Sequence, residues 1–358
     1  MRSSARNDIA LDVRETSHMS AGMLAYVRAL RWWLPRVAPD LRLVEFGSGD
    51  NFDPAEQLVM PLALARLRPR LVHFPTPFVP RVVSAPHVVT VHDVIDLEFP
   101  QYAKRKVGPY WRHVAGPVLR SARAVVTDDD ATVELLERFL RVDPARVRVV
   151  PLGVDAPEPM PDPVVRPRPY LFYAGNHRPH KDLATLVAAW ASLPDRDAVD
   201  LILTGPEEPA LRAVRHAQGE LIFAGECSTE DVWRYHRGAI AYVHPALREG
   251  FGLPLLEALR AGTPVIASDG ATPAVLAPYV HRYAAHDVVA LRAFLLRAVE
   301  QPESFAATAA SARAATAHLT WERTVRATAG VYRDVLDSHA ANPRTAFGGS
   351  AAQRGKRA

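Results

Sequence analysis

Short runs of β-branched and aromatic residues alternate along this chain with longer segments in which apolar positions recur every three or four residues. In the first half the runs fall at 41–46, 71–74, 87–92, 124–127 and 147–150; in the second they fall at 170–174, 199–204, 221–224, 239–244 and 264–268. Each is nearly continuous in Val, Ile, Leu, Phe and Tyr, the composition of strands covered on both faces. Helical periodicity fills 19–34, 182–193, 229–237 and 287–299. Strand and helix in this alternation predict parallel sheets sandwiched between helices.

Prolines mark where the two halves join. Pro151, Pro157, Pro159, Pro161, Pro163, Pro167 and Pro169 crowd a stretch that can continue neither a helix nor a central strand. It reads as an extended, semi-rigid linker. The expected fold class is therefore α/β, with two Rossmann-like, doubly wound domains over 1–155 and 170–318, a linker over 156–169, a last helix over 319–338 and a disordered basic tail over 339–358.

Length and composition agree: 358 residues suit about two domains, and 48% apolar with 23% charged residues excludes wholesale disorder or a coiled rod. Lys and Arg number 43 against 39 acids, but the tail holds Arg344, Arg354, Lys356 and Arg357 with no acid, and without them the body carries 39 of each sign. A neutral body argues against a nucleic-acid partner. Cys227 is the sole cysteine, which excludes an internal disulfide or a multi-cysteine zinc site. The first residues are polar, and no stretch reaches about 18 uninterrupted apolar residues. The expectation is a cytoplasmic protein, soluble or peripheral on the inner face of a membrane.

In doubly wound sheets ligands bind beyond the carboxyl ends of the strands. The residues there include His92-Asp93, Gly175-Asn176-His177, Gly205-Pro206-Glu207, Gly225-Glu226, His244 leading to Glu249, and Ser268-Asp269-Gly270. The most informative segment is Arg248-Glu249-Gly250-Phe251-Gly252-Leu253-Pro254-Leu255-Leu256-Glu257-Ala258-Leu259-Arg260-Ala261-Gly262. Pro254 suits a helix's first turn and Gly262 its end, giving a helix from about Pro254 to Ala261. Amides of Phe251, Gly252 and Leu253 at its positive end suit an anion such as a diphosphate. The plainer alternative is a glycine-containing loop with a Glu that stabilises the helix dipole. The segment Gly175-Asn176-His177-Arg178-Pro179-His180-Lys181 offers cations to a departing diphosphate, or is a solvated loop. Asp128-Asp129-Asp130 opens a helix and reads as its cap, a metal site being the alternative.

The pattern E-G-F-G-L-P-L-L-E followed by A-G-T-P-V-I-A-S resembles the signature of the retaining glycosyltransferases of family four, which have the GT-B fold of two facing Rossmann-like domains. The resemblance is strong from Tyr170 to about Asp269. It implies that Glu249 contacts a donor sugar, that Gly250, Phe251, Gly252 and Leu253 line sugar and phosphate, and that Glu257 holds the ribose. Lys181 matches the family lysine on the donor phosphates; His180 replaces the usual arginine, with Arg178 as the substitute cation. His92 matches a histidine that reaches the donor sugar, and Gly22 is what survives of a glycine-rich acceptor-side loop. Pro151-Leu152-Gly153-Val154-Asp155 resembles the family's close of its first domain, and Thr320-Trp321-Glu322 the start of a helix that returns to that domain. Pro273-Ala274-Val275 departs from a family P-E-V whose Glu lies near the nucleotide.

The resemblance thus implies a hexosyltransferase using a nucleotide-diphosphate sugar, no cofactor and no metal. Its acceptor is a glycan or a lipid-linked sugar, and a mannosyl group is the family-frequency guess. Glu249, His92 and Lys181 would carry catalysis, with the leaving phosphate taking the acceptor's proton. A GT-B epimerase or phosphorylase, or a non-catalytic sugar-nucleotide binder, stays open. For the acceptor side, Arg28, Arg31, Trp32, Trp33 and Arg36, followed later by Lys104, Arg105, Lys106, Arg112, Arg120 and Arg123, suggest contact with an anionic membrane. The plainer reading buries a tryptophan and solvates the charges.

Overall fold

The computed structural model describes residues 8–17, 19–194, 198–214 and 218–341. The first half runs β1 (Asp8–Asp12), α1 (Ala21–Val37), β2 (Arg42–Phe46), α2 (Pro54–Leu67), β3 (Leu71–Phe74), β4 (His87–Thr90), the short helices α3 (Ile95–Glu98), α4 (Val107–Tyr110) and α5 (Gly116–Ser121), β5 (Ala124–Thr127), α6 (Asp130–Leu140) and β6 (Val147–Val149). The second runs β7 (Tyr170–Tyr173), α7 (Leu183–Ala191), β8 (Asp200–Leu203), α8 (Pro209–Arg212), β9 (Leu221–Phe223), α9 (Thr229–Gly238), β10 (Ala241–His244), α10 (Leu253–Ala261), β11 (Val265–Ser268), β12 (His281–Tyr283), α11 (Val288–Glu300) and α12 (Pro302–Ala315), and α13 (Trp321–Ala341) follows.

Each half forms a six-stranded sheet in which every pairing is parallel. The orders are β2-β1-β3-β4-β5-β6 and β12-β11-β10-β7-β8-β9. The continuous apolar runs become strands buried at every position, as in β3, β4, β5, β7, β8, β10 and β11. In the second sheet the order reverses between β7 and β10, so the loops after those two strands diverge and leave a crevice at their carboxyl ends.

Two edges of the pattern differ from expectation. β1 is a central strand of sequence Asp-Ile-Ala-Leu-Asp, whose terminal acids hide it among polar residues; Ile9, Ala10 and Leu11 are nevertheless buried. The Asp12 carboxylate is accommodated there by Arg14, which also bonds Glu56 at 2.9 Å. β12 is an edge strand of three residues, too short to carry a pattern. The chain from Pro151 to Pro169 forms neither helix nor strand before β7 begins.

The last helix ties the halves together. Its start meets the segment resembling the first domain's close: Trp321 N donates to Asp155 at 3.2 Å, Thr324 Oγ1 to the Pro151 carbonyl at 2.9 Å, and Val154 N to the Leu319 carbonyl at 3.1 Å. Its body packs along α1, with Val325, Ala329 and Tyr332 in one core cluster with Leu30 and Leu34. Tyr332 bonds His73 Nδ1 at 2.6 Å, and His73 Nε2 lies 2.8 Å from Thr90 Oγ1 in the first sheet. The helix reaches Ala341, three residues into the segment expected to be tail; the rest of that segment, 342–358, lies outside the described residues.

Candidate functional site

The β7 and β10 loops bring the second half's polar residues together. After β7 the chain makes a single turn over Pro179–Lys181, and Asp182, held in the left-handed conformation, starts α7. The Leu247 amide donates to the His180 carbonyl at 2.8 Å, stitching this turn to the loop after β10. Lys181 and Glu249, 68 positions apart in sequence, consequently form a buried ion pair between Nζ and Oε1. The same Glu249 oxygen lies 2.6 Å from His244 Nε2, and His244 Nδ1 lies 2.7 Å from the Tyr242 hydroxyl.

Burial alone would push the Glu249 carboxyl up, but the Lys181 ammonium and the His244 hydrogen bond hold it well below the usual carboxylate range. Burial lowers the His244 pKa, with Glu249 opposing. A neutral His244 donates Nε2–H to the carboxylate and accepts at Nδ1 from Tyr242. Glu249 is thereby fixed as a carboxylate oriented by Lys181 and His244, the latter held in turn by Tyr242. Burial, with Lys181 adding to it, depresses His180 to about 4, so its imidazole is neutral and does not replace the family arginine's charge. Arg178, exposed at the same turn, keeps a cation there.

The first half closes the other side. His92 follows β4, and its Nδ1 lies 2.7 Å from Asp128 Oδ2 with both side chains buried. Its Nε2 is buried without a hydrogen bond of standard geometry, the Pro75 carbonyl also interacts with the ring, and Tyr26 packs edge-on at 4.9 Å between ring centroids. Burial pulls the imidazole pKa down, but the Asp128 charge and hydrogen bond, then Asp93, more than offset it, and the net shift is upward. The acidic triplet divides its work. Asp129 caps α6 through the Ala131 amide and also accepts from the Ala274 amide across the crevice, while Asp128 turns to His92 instead of the helix. Where the family Glu is replaced by Ala274, the backbone thus bridges the halves.

A cleft of about 650 Å³ lies between the halves, lined by His92, Asp93, Asp96, Arg178, His180, Lys181 and Glu249. Its first-half wall is largely apolar and aromatic, with Phe52, Phe78, Phe99, Tyr102, Tyr110 and Trp111. Gly22, Gly250, Phe251, Gly252, Leu253 and Glu257 stand outside that lining, and Gly22, Gly250 and Leu253 form a seam beside it. A Cβ on Gly250 would lie 2.5 Å from the His92 carbonyl oxygen, so the loop touches the first half only because no side chain intervenes. A Cβ on Gly22 would come 3.2 Å from Leu253 Cδ1, placing the start of α1 against that of α10. Gly252 caps α10 with φ 72°, a conformation that favours glycine, and no side chain caps the first-turn amides. The observed helix begins at Leu253, one residue before expectation. Phe251 is buried, and Glu257 is partly buried with its carboxyl pushed by burial to about 7. Arg248 adds a bidentate pair to Glu98 across the seam, at 2.8 and 2.7 Å.

Sequence reasoning assigned no role to His244, although it stood at a strand end. Asp128 had the signal of a cap and Asp93 stood beside His92 at a strand end, whereas Glu98, Asp96 and the aromatic wall carried no local motif. The basic residues of α1 do not form an open patch: Arg28 pairs with Glu15 at 2.6 Å, Arg31 with Glu45 at 2.9 Å, and Arg36 lies over Trp32 at 3.6 Å. Among the described residues, no group of three or more His, Cys, Asp or Glu is placed to hold a metal ion, and no helix is long and apolar enough to cross a membrane.

Two Rossmann-like lobes facing across a cleft, with a glycine-flanked helix start and a Lys–Glu pair at the switch point, define a GT-B glycosyltransferase. Residues 162–309 match the family described as Glycosyl transferases group 1, and residues 36–158 match Glycosyltransferase Family 4. The chain belongs to the group 1, family 4 glycosyltransferases. It is 25% identical over 292 residues to the O-antigen chain mannosyltransferase B of Escherichia coli, covering 76% of each chain. It is 28% identical over 249 residues to the D-inositol 3-phosphate glycosyltransferase of Saccharomonospora viridis, covering 61% of this chain and 57% of that protein. Among solved structures, sucrose-phosphate synthase from Thermosynechococcus elongatus superposes with a TM-score of 0.70 at 19% identity, covering 93% of this chain and all of that one. Anabaena HepE in complex with UDP and glucose superposes at 0.67 and 14% identity, covering 94% of this chain and all of that one.

Proposed function

We propose that this glycosyltransferase is a retaining, metal-independent hexosyltransferase that moves a sugar from a nucleotide-diphosphate donor to a hydroxyl of a glycan or lipid-linked acceptor. The observation that carries the reading is the meeting of Lys181 and Glu249 at the β7/β10 crevice, with His92 on the same cleft. An ammonium has three N–H donors, and the bond to Glu249 uses one. The remainder, with Arg178 and the amides of Gly252 and Leu253, answer the charge that builds on the leaving diphosphate. As the anomeric C–O bond breaks, its electron pair leaves with the phosphate. The acceptor oxygen bonds the anomeric carbon from that same face, and its proton passes to the departing phosphate oxygen. His92 donates from Nε2 to a sugar hydroxyl, and Glu249 positions the sugar while Glu257 takes the ribose. A mannosyl donor is the first to try, because the Escherichia coli relative is named a mannosyltransferase.

Thermal shift against UDP, GDP and ADP tests the donor site directly: a diphosphate at a hundred times its dissociation constant stabilises by about 2.7 kcal/mol. Transfer from the matching labelled nucleotide sugar, with the product's anomeric configuration read by NMR and chelator added in parallel, tests the rest. Stabilisation by none of the three removes the donor reading. An inverted product removes retention, and loss of activity in chelator removes metal independence.

A further inference from the structure

A carboxyl on the first-half side of the cleft has only one of its oxygens engaged. Asp93 follows His92 at the end of β4 and lines the cleft, and its Oδ1 accepts from the Ile95 amide at 3.1 Å. Among the described residues Oδ2 has no hydrogen-bond partner. A carboxylate can only accept, so this oxygen calls for a donor such as a hydroxyl. Burial pushes the carboxyl up, the Ile95 amide opposes it, the Glu249 charge adds to the rise, and the net shift is upward. A carboxylate taken out of water with too few donors gains from any donor that a ligand brings.

The segment from Asp93 to Glu98 is fixed at both ends against one loop of the second half. At its start a Cβ on Gly250 would lie 3.4 Å from Asp93 Cβ, and at its end Glu98 pairs with Arg248. The Asp93 carboxyl is therefore held beside the loop that carries Glu249. The chain then runs to Phe99 and Tyr102, whose rings stack at 6.1 Å and 15° and line the same cleft. Ring faces of this kind suit the C–H face of a sugar. The other charges on the first-half lining are Asp96, which faces Arg178, and the exposed Lys104 beyond Tyr102. The charged groups that act on Asp93 itself are Glu249, His92 and Asp96. Two acids against one imidazole disfavour a phosphate at this oxygen and suit a neutral polyol.

From this arrangement we infer that Asp93 binds the acceptor sugar, its Oδ2 accepting from the ring hydroxyl next to the one that attacks. The inference rests on the hexosyltransferase reading. There Lys181 and Arg178 meet the diphosphate from the second half, and Glu249 and His92 are taken by the donor sugar. The acceptor then approaches along the first-half wall, where Asp93 is the first residue after His92. Holding the neighbouring hydroxyl leaves the attacking oxygen's own proton free to pass to the departing phosphate oxygen. Asp93 neither gains nor loses a proton in the step.

The test is saturation-transfer NMR on the full chain, loaded with the nucleoside diphosphate that stabilises it, against the methyl α- and β-glycosides of mannose, glucose, galactose and N-acetylglucosamine. At least one glycoside should bind, and should stay bound or become glycosylated when the nucleotide sugar of the transfer assay replaces the diphosphate. Asp93→Asn keeps Oδ1 for the Ile95 amide and puts an NH2 donor where the free oxygen stood. It should leave the diphosphate-induced thermal shift intact and weaken the glycoside at least about tenfold, the loss of one hydrogen bond to a charged group. Failure of every glycoside to bind, or binding that Asp93→Asn leaves unchanged, overturns the inference. So does displacement of the glycoside by the nucleotide sugar, or loss of the diphosphate shift in Asp93→Asn, since Asp93 then serves the donor. Absence of a diphosphate shift in the native chain is instead the failure of the donor reading, and the glycosides then decide on Asp93 with the unloaded chain.

Discussion

Asp128→Asn removes a charge from the crevice while preserving its shape. In the native protein Asp128 Oδ2 lies 2.7 Å from His92 Nδ1, with the two side chains 1% and 8% exposed, so solvent does not screen the pair. Burial alone drives the imidazole toward its neutral form, and the carboxylate reverses that balance. A hydrogen bond to a charged group in such surroundings contributes about 1.5–3 kcal/mol, equivalent to about one to two pH units in a titration. His92 should therefore titrate above its ordinary value in the native protein and below it in the variant. NMR titration of isotope-labelled histidine rings, assigned with His92→Gln, measures this without knowledge of the substrate. Turnover that depends on Nε2–H should fall as pH rises through the native His92 value, and the variant should lose it at least about one unit earlier. Stability has the matching sign: the raised histidine stabilises the fold below about 6.5 and ceases to do so as pH rises through the folded value. The variant should therefore be destabilised more at pH 6 than at pH 9. A His92 resonance with the same midpoint in both proteins refutes the reasoning.

Lys181→Ala should lower turnover at least about tenfold, about 1.4 kcal/mol in the barrier, and should also reduce stability, because the buried Glu249 carboxylate loses its cation; wild-type kinetics would take Lys181 out of the chemistry. Glu257→Gln should raise the thermal midpoint at pH 8 and leave it unchanged at pH 4. Ionising a carboxyl held at about 7 costs the fold stability as pH rises from the unfolded value toward the folded one, and equal gains at both pH values would show that the burial has no electrostatic consequence. Arg248→Ala, by removing the bidentate pair with Glu98, should favour separation of the lobes by about 1 kcal/mol; small-angle scattering should show a larger radius of gyration without nucleotide, and an unchanged radius would show that the seam is held by other contacts.

What the sequence revealed depended on how local the determining physics is. The strands buried on both faces were legible because burial selects large apolar residues at consecutive positions, as in Tyr-Leu-Phe-Tyr at 170–173 and Leu-Ile-Leu at 201–203. β1 was not, because its ends are acids, and the burial of Asp12 depends on Arg14 folding back onto it. The helix after Gly252 was readable to within a residue from Pro254 and Gly262. The pairing of Lys181 with Glu249 was not, since it follows from two strands becoming neighbours in a reversed order. Asp128 had two adjacent acids competing for one cap, and only the position of His92 decides which of them caps the helix. The basic residues of α1 were legible as charges but not as pairs: their acids, Glu15 and Glu45, arrive from a loop and from the neighbouring strand.

The position of α13 constrains how the chain can be made. Its Arg333 grips Asp40 and its Tyr332 reaches His73, partners that leave the ribosome some 290 and 260 residues earlier. The amino-terminal lobe therefore emerges with Leu30 and Leu34 uncovered, and its core is finished only once α13 has been made. Splitting the gene at the proline segment would yield a first fragment that exposes this apolar face and a second that carries the cover for it, so the halves should need co-expression to remain in solution.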